Sequence, residues 1–175
     1  MAKRSFNIGK LMKAAHNEFF YEQDGDTVYL ADKRGRVAIQ TDYLILAELG
    51  KRGAKLDNQN KSLKQICKSL LDKKGIFVYK NTGIQFPYLD SLDGKKNLVM
   101  FRDYDEAYSV KMADVQYVDI FDPEVITGGK SSYDPILMIC KGCYGFIFPV
   151  KMKLNNLGSL VDNIHALDQY FETIF

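Results

Sequence analysis

Hydrophobic residues recur along this chain at two different periods, and the changes between them lay out the expected elements. Ile8, Leu11, Met12, Ala15 and Phe19 fall on one face of a helix predicted over Ile8 to Phe20, with Asn7 as its cap. Asp24-Gly25-Asp26 ends that unit, and the period then drops to two. Val28 and Leu30, then Val37 and Ile39, predict a hairpin of Thr27 to Asp32 and Arg36 to Thr41 around Lys33-Arg34-Gly35. Thr41-Asp42 is placed to cap a short helix, Tyr43 to Leu49, stopped by Gly50 and Gly53. Lys51 to Asn60 is polar and contains glycine, the composition of a surface loop.

Helical spacing returns at Ser62 to Lys74. Leu63, Ile66, Cys67, Leu70 and Leu71 form the buried stripe, Lys61, Lys64 and Lys68 lie outside, and Gly75 closes the helix. Beyond it the extended period resumes. Ile76 to Lys80 and Ile84 to Tyr88 flank Asn81-Thr82-Gly83, which reads as a hairpin turn. Asn97 to Arg102 and Glu106 to Met112 form a second pair around Asp103-Tyr104-Asp105. Val115 to Phe121 fits a strand or a short helix, and strand is the expectation. A third hairpin joins Pro135 to Cys140 and Cys143 to Val150 through Lys141-Gly142. A final helix is expected over Ser159 to Ile174, with Leu160, Val161, Ile164, Leu167, Phe171, Ile174 and Phe175 on one face. The predicted class is α+β: a mainly antiparallel sheet of several hairpins, with N-terminal, middle and C-terminal amphipathic helices on one side of it.

Composition changes this picture little. At 175 residues the chain has the size of one domain, and 46% hydrophobic with 26% charged residues is a globular balance. No apolar run approaches the roughly 18 residues of a membrane-spanning helix. Met1-Ala2-Lys3-Arg4-Ser5-Phe6 has no apolar stretch behind its basic residues, so no secretory signal is read and a cytoplasmic setting is expected. Three cysteines, Cys67, Cys140 and Cys143, cannot all pair within one chain, so buried thiols in a reducing compartment are the expectation.

Charge changes it more. Lys51, Arg52, Lys55, Lys61, Lys64, Lys68, Lys73 and Lys74 stand against only Asp57 and Asp72 in one block. Asp103, Asp105, Glu106, Asp114, Asp119, Asp122, Glu124 and Asp134 stand against only Lys111 and Lys130 in another. The formal net charge of +2 hides this sorting. A chain sorted this way suits a polyanion at one surface and a basic partner at another.

Most catalytic chemistries lack their parts. Cys140-x-x-Cys143 has the spacing of a zinc knuckle, but only Cys67, His16 and His165 remain to complete four ligands, scattered over three predicted helices. The pair opens no helix that would lower a thiol pKa, which argues against redox chemistry. Two histidines at opposite ends of the chain do not suggest a nucleophile–base dyad. Gly128-Gly129-Lys130-Ser131-Ser132 resembles a fragment of a phosphate-binding loop, but the first glycine at the required distance and the following helix are missing. The enzymatic lead is acidic: Asp103, Asp105 and Glu106 at a strand end, with Lys111 on the next strand, suit metal-dependent phosphodiester cleavage. Aspartates also favour turns for their own sake. No cofactor is expected.

The binding lead is the basic block. Lys51, Arg52 and Lys55 lead into a helix carrying Lys61, Lys64 and Lys68, a row suited to DNA or RNA phosphates, each contact releasing counterions. Pro135-Ile136-Leu137-Met138-Ile139 followed by Gly145-Phe146-Ile147-Phe148-Pro149-Val150-Lys151-Met152 resembles the closing strands of a DNA sliding-clamp domain. Tyr29-Leu30-Ala31-Asp32 with Val37-Ala38-Ile39 is similar to the early hairpin of such domains. The resemblance implies a clamp-like scaffold with lysine helices facing DNA. The chain departs from that pattern in being too short for two or three repeated domains and in its extra helix at Ser159 to Ile174.

Two functions follow. One is a non-catalytic module binding nucleic acid, or a machine assembled on it, through Lys51 to Lys74. The other is an inhibitor whose acidic, tyrosine-bearing region, with Asp103, Asp105 and Glu106, occupies a basic groove on a protein partner. Small proteins of phages and mobile elements, anti-CRISPR proteins among them, are similar in size and charge sorting.

Overall fold

In the computed structural model, residues 5–58, 63–72, 77–90, 94–103, 110–131 and 134–150 are described. They form a mostly antiparallel α+β fold built on a ten-stranded sheet, ordered β4-β1-β2-β3-β10-β9-β8-β5-β6-β7. The strands are β1 Glu18–Asp24, β2 Thr27–Asp32, β3 Val37–Asp42, β4 Lys55–Asn58, β5 Phe77–Asp90, β6 Gly94–Asp103, β7 Val110–Asp114, β8 Val125–Gly128, β9 Ile136–Cys140 and β10 Cys143–Ile147. The helices are α1 Ile8–Ala14, α2 Leu44–Lys51, α3 Leu63–Asp72 and α4 Val115–Val118. The final helix expected over Ser159 to Ile174 lies outside the described residues. So do Lys61, Lys73, Lys74, Asp105 and Glu106. No described helix is long and apolar enough to cross a membrane.

The N-terminal helix is shorter than its periodicity suggests. Asn7 does cap it, its side-chain oxygen accepting from the Lys10 amide at 3.0 Å. The helix then stops within two turns: Asn17 N–H donates to Met12 C=O at 2.9 Å and His16 N–H to Lys13 C=O at 3.3 Å. These are the two closing bonds of a Schellman motif, with His16 in the left-handed region at φ 53° where glycine is usual. Phe19 therefore belongs to β1, because its spacing satisfies a helix and a strand equally. Asp24-Gly25-Asp26 turns the chain from β1 into β2 rather than ending a helix.

The hairpin of β2 and β3 forms as the alternation predicts. Asp32 holds its turn: one carboxylate oxygen accepts from the amides of Arg36 at 2.7 Å and Val37 at 3.1 Å. Asp42 accepts from the Leu44 amide at 3.0 Å, starting α2 as expected. The polar stretch after α2 is not all loop. Lys55–Asn58 adds to β1 in parallel as an edge strand, with exposed Lys55 and Asp57 discouraging further pairing.

Alternation sends successive side chains to opposite faces, and helices cover both. Val28, Leu30, Val37, Ile39, Ile136, Met138 and Ile147 pack with Leu11 and Met12 of α1 and Ile45 and Leu49 of α2. Tyr29, Ala31, Ala38, Leu137 and Phe146 pack under Leu63 and Cys67 of α3. The expectation of helices on one side is thus corrected; among the described residues, α1 and α2 pack on one face and α3 on the opposite one. Two further readings change. Asn81-Thr82-Gly83 is no hairpin turn but an irregularity inside β5, which pairs with β6 on both sides of it. Val115 to Val118 is a helical turn, capped by Asp114 accepting from the Gln116 amide at 2.9 Å.

Candidate nucleic-acid interface

Sequence proximity puts the basic residues on three consecutive elements, and the topology gathers these at the β4 edge of the sheet. Lys51 ends α2 and Arg52 follows it, both exposed; Lys55 opens β4; Lys64 and Lys68 lie one turn apart on α3. Because α2 and α3 cover opposite faces, these cations wrap the edge strand instead of lining one flat helix face.

Carboxylates are threaded through this surface. Lys64 Nζ pairs with Asp24 at 2.5 Å, Lys55 Nζ with Glu18 at 3.7 Å, and Lys33 Nζ with Asp57 while lying 5.2 Å from the centre of the Phe20 ring. The hydrogen bonds that Lys64 and Lys33 donate to Asp24 and Asp57 raise their pKa values above the ordinary lysine range. Glu22 does a different job. Its carboxylate accepts from the Lys64 amide at 2.8 Å, capping the start of α3 from the neighbouring strand. These pairs are exposed, so solvent screens them and each contributes little to stability.

No known family, curated protein or solved structure matches this chain. Any functional reading therefore rests on its own residues.

The acidic constellation is rearranged by the fold. Asp103 is only 5% exposed, so it is not a surface carboxylate, while Asp105 and Glu106 lie outside the described residues. Register explains the burial: Asp103 sits opposite Tyr79, and Phe101 opposite Lys111, so all four share the core-facing side of β5, β6 and β7. Lys111 is fully buried. Its ammonium donates to the carbonyls of Ser131 and, at 2.9 Å, Asp134, and lies 5.2 Å from the centre of the Tyr79 ring. Burial pulls its pKa down to about 8, against the opposing pull of Asp134. The loop beginning Gly128-Gly129 is thus a partner of an internal lysine. Gly128 has to be small here, since a Cβ would meet Lys111 Cε at 2.9 Å. Tyr79 adds a hydrogen bond from its hydroxyl to Gly129 C=O at 2.7 Å. The sequence suggests Lys111 as a catalytic companion of the acids; Val110 and Met112 hold the apolar phase of this strand and Lys111 the other, so the alternation gives no signal of its burial, which follows from β7 being covered on both faces.

Exposed acid is found elsewhere. Asp26, Asp42, Asp122 and Glu124 are exposed; Asp26 and Asp42 line an open groove with Cys140 and Cys143, and Asp122 and Glu124 act electrostatically on Cys140. Among the described residues no group of three or more His, Cys, Asp or Glu is arranged to hold a metal.

Proposed function

We propose that this protein is a non-catalytic binding protein that engages nucleic acid, or a machine assembled on nucleic acid, through the basic edge around β4. The observation carrying this reading is the convergence of exposed Lys51, Arg52, Lys55 and Lys68 from α2, β4 and α3 on one edge. Phosphates compete readily for lysines held only in exposed ion pairs, so Lys55 and Lys64 join the surface once a polyanion arrives. The clamp-like scaffold is proposed on the same footing, from the hairpins that resemble clamp strands; those two hairpins pair with each other through β3 and β10. The test is fluorescence anisotropy of labelled single- and double-stranded DNA and RNA at two salt concentrations. Binding that weakens steeply with salt, and that Lys51→Glu with Arg52→Glu abolishes, is expected. Absence of binding to all four ligands at low salt would sink it.

A second reading has its own observation. The exposed carboxylates Asp26, Asp42, Asp122 and Glu124 gather near the β9–β10 turn and suit an inhibitor, of the kind mobile elements encode, that occupies a basic groove on a protein partner. This relocates the acidic surface away from Asp103. Lysine substitutions at Asp122 and Glu124 then abolish function while Lys51→Glu with Arg52→Glu does not.

A further inference from the structure

Cys140 and Cys143 are direct cross-strand partners at the end of the β9–β10 hairpin, separated only by the turn Lys141-Gly142. Facing residues in an antiparallel pair have Cα atoms about 4.5–5.5 Å apart, inside the roughly 4.4–6.8 Å span that a disulfide bridges. Both are reduced thiols and largely buried, 7% and 6% exposed, and the Cys140 thiol donates to Met138 C=O at 3.7 Å. Both line an open groove of about 270 Å³, together with Asp26, Gln40, Asp42 and Tyr144. We propose that Cys140 and Cys143 are a reversible dithiol–disulfide site, oxidised through this groove by small neutral or cationic disulfides.

The chemistry is ordinary thiol–disulfide exchange. Cys140 loses its proton to solvent, and its sulfur attacks one sulfur of R–S–S–R. The S–S bond of the reagent breaks, and the first RS⁻ leaves and takes up a proton. Cys143 then loses its proton and attacks Cys140 Sγ, expelling the second RS⁻, which is protonated in turn. Two protein thiols are oxidised by two electrons, and one disulfide is reduced to two RSH. No helix N-terminus is needed to favour the first thiolate. The neighbouring Cys143 thiol lowers the Cys140 pKa, against the opposing effects of burial, Asp122 and Glu124.

The molecule supplies its own control. Cys67, on the inner side of α3, is wholly buried and does not line the groove, and burial pushes its thiol up to about 12, so it stays protonated and shielded. Selectivity among oxidants follows from the charges around the groove. Asp26 and Asp42 line it and Asp122 and Glu124 act on Cys140, against Lys141 in the turn. An anionic disulfide is repelled there and a dication attracted.

The test treats the reduced full chain separately with cystamine (dicationic), hydroxyethyl disulfide (neutral) and glutathione disulfide (anionic), followed by intact mass and peptide mapping. The expected product has lost two hydrogens, carries a Cys140–Cys143 link and reverts with dithiothreitol. Cystamine is expected to react roughly tenfold faster than glutathione disulfide, with the gap closing at high salt. In Cys143→Ser, a stable mixed disulfide accumulates at Cys140. The site is refuted if the wild-type chain keeps both hydrogens with every reagent, or if Cys67 is modified as fast as the pair. Equal rates for the three reagents overturn the charge selection.

Discussion

Buried polar side chains decide behaviour at the scale of single residues here, and Lys111 is the sharpest case. Its pKa is about 8 in the fold against the ordinary 10.5. A lysine that protonates less readily folded than unfolded costs stability while it is charged in the fold. That cost is complete below about pH 8 and disappears as pH rises toward 10.5. The neutral amine still has two N–H groups for the two carbonyls it serves, so nothing is orphaned when the proton leaves. Urea unfolding of wild type and Lys111→Met across this window should show the wild type gaining on the variant by up to about 3 kcal/mol. A difference that does not change with pH would remove the argument. Steric limits act at the same scale. A Cβ on Gly145 would overlap the ring of Phe121, whose backbone is tied to Phe6 by a β-bridge. Gly145→Ala is therefore expected to lose about 1–3 kcal/mol in thermal or urea unfolding, with a neutral result showing that the ring moves freely.

At the scale of elements, helix ends and strand register separate what the sequence shows from what it hides. His16 closes α1 from a left-handed conformation that costs a non-glycine residue about 1 kcal/mol, so His16→Gly should raise the melting temperature. A lowered value would mean that the imidazole itself holds the motif. Glu22 caps α3 across from β1, and Glu22→Ala is expected to cost about 1 kcal/mol and to speed amide exchange in α3 first. Local signals are legible in the chain: Asn7 and Asp42 at helix starts, the β2–β3 and β9–β10 hairpins, and the apolar stripe of α3 apart from Ile66, which its spacing places in the stripe but which is 45% exposed. Long-range ones are not. Nothing in Val125–Gly128 marks it as a strand until β9 lies beside it, and Lys55–Asn58 becomes one only by docking on β1. Asn81-Thr82-Gly83 carries turn chemistry, yet β6 pairs on both sides of it and turns it into an irregularity. The candidate interface is half legible. Clustering of lysines is visible in the chain; their division between two faces, and their pairing with Glu18 and Asp24, requires the sheet order.

At the scale of the whole molecule, that division makes the basic edge testable as two halves. Lys51→Glu with Arg52→Glu alters the α2 side, and Lys64→Glu with Lys68→Glu the α3 side. A polyanion following the edge meets both, so removing each phosphate-facing cation should lower the slope of log affinity against log salt by about 1. If neither pair changes the slope, the edge is not the interface. The same sheet order has a consequence for how the chain comes off the ribosome. β3 pairs on one side with β2, its immediate neighbour in sequence, and on the other with β10, roughly a hundred positions later, a separation that slows pairing. Until the last hairpin has been synthesised, the outer edge of β3, with its buried Val37, Ala38 and Ile39, has no strand to receive it. Nascent chains thus carry an open, apolar sheet edge from the synthesis of β3 until that of β10, and yield in the cell will depend on how long that edge waits.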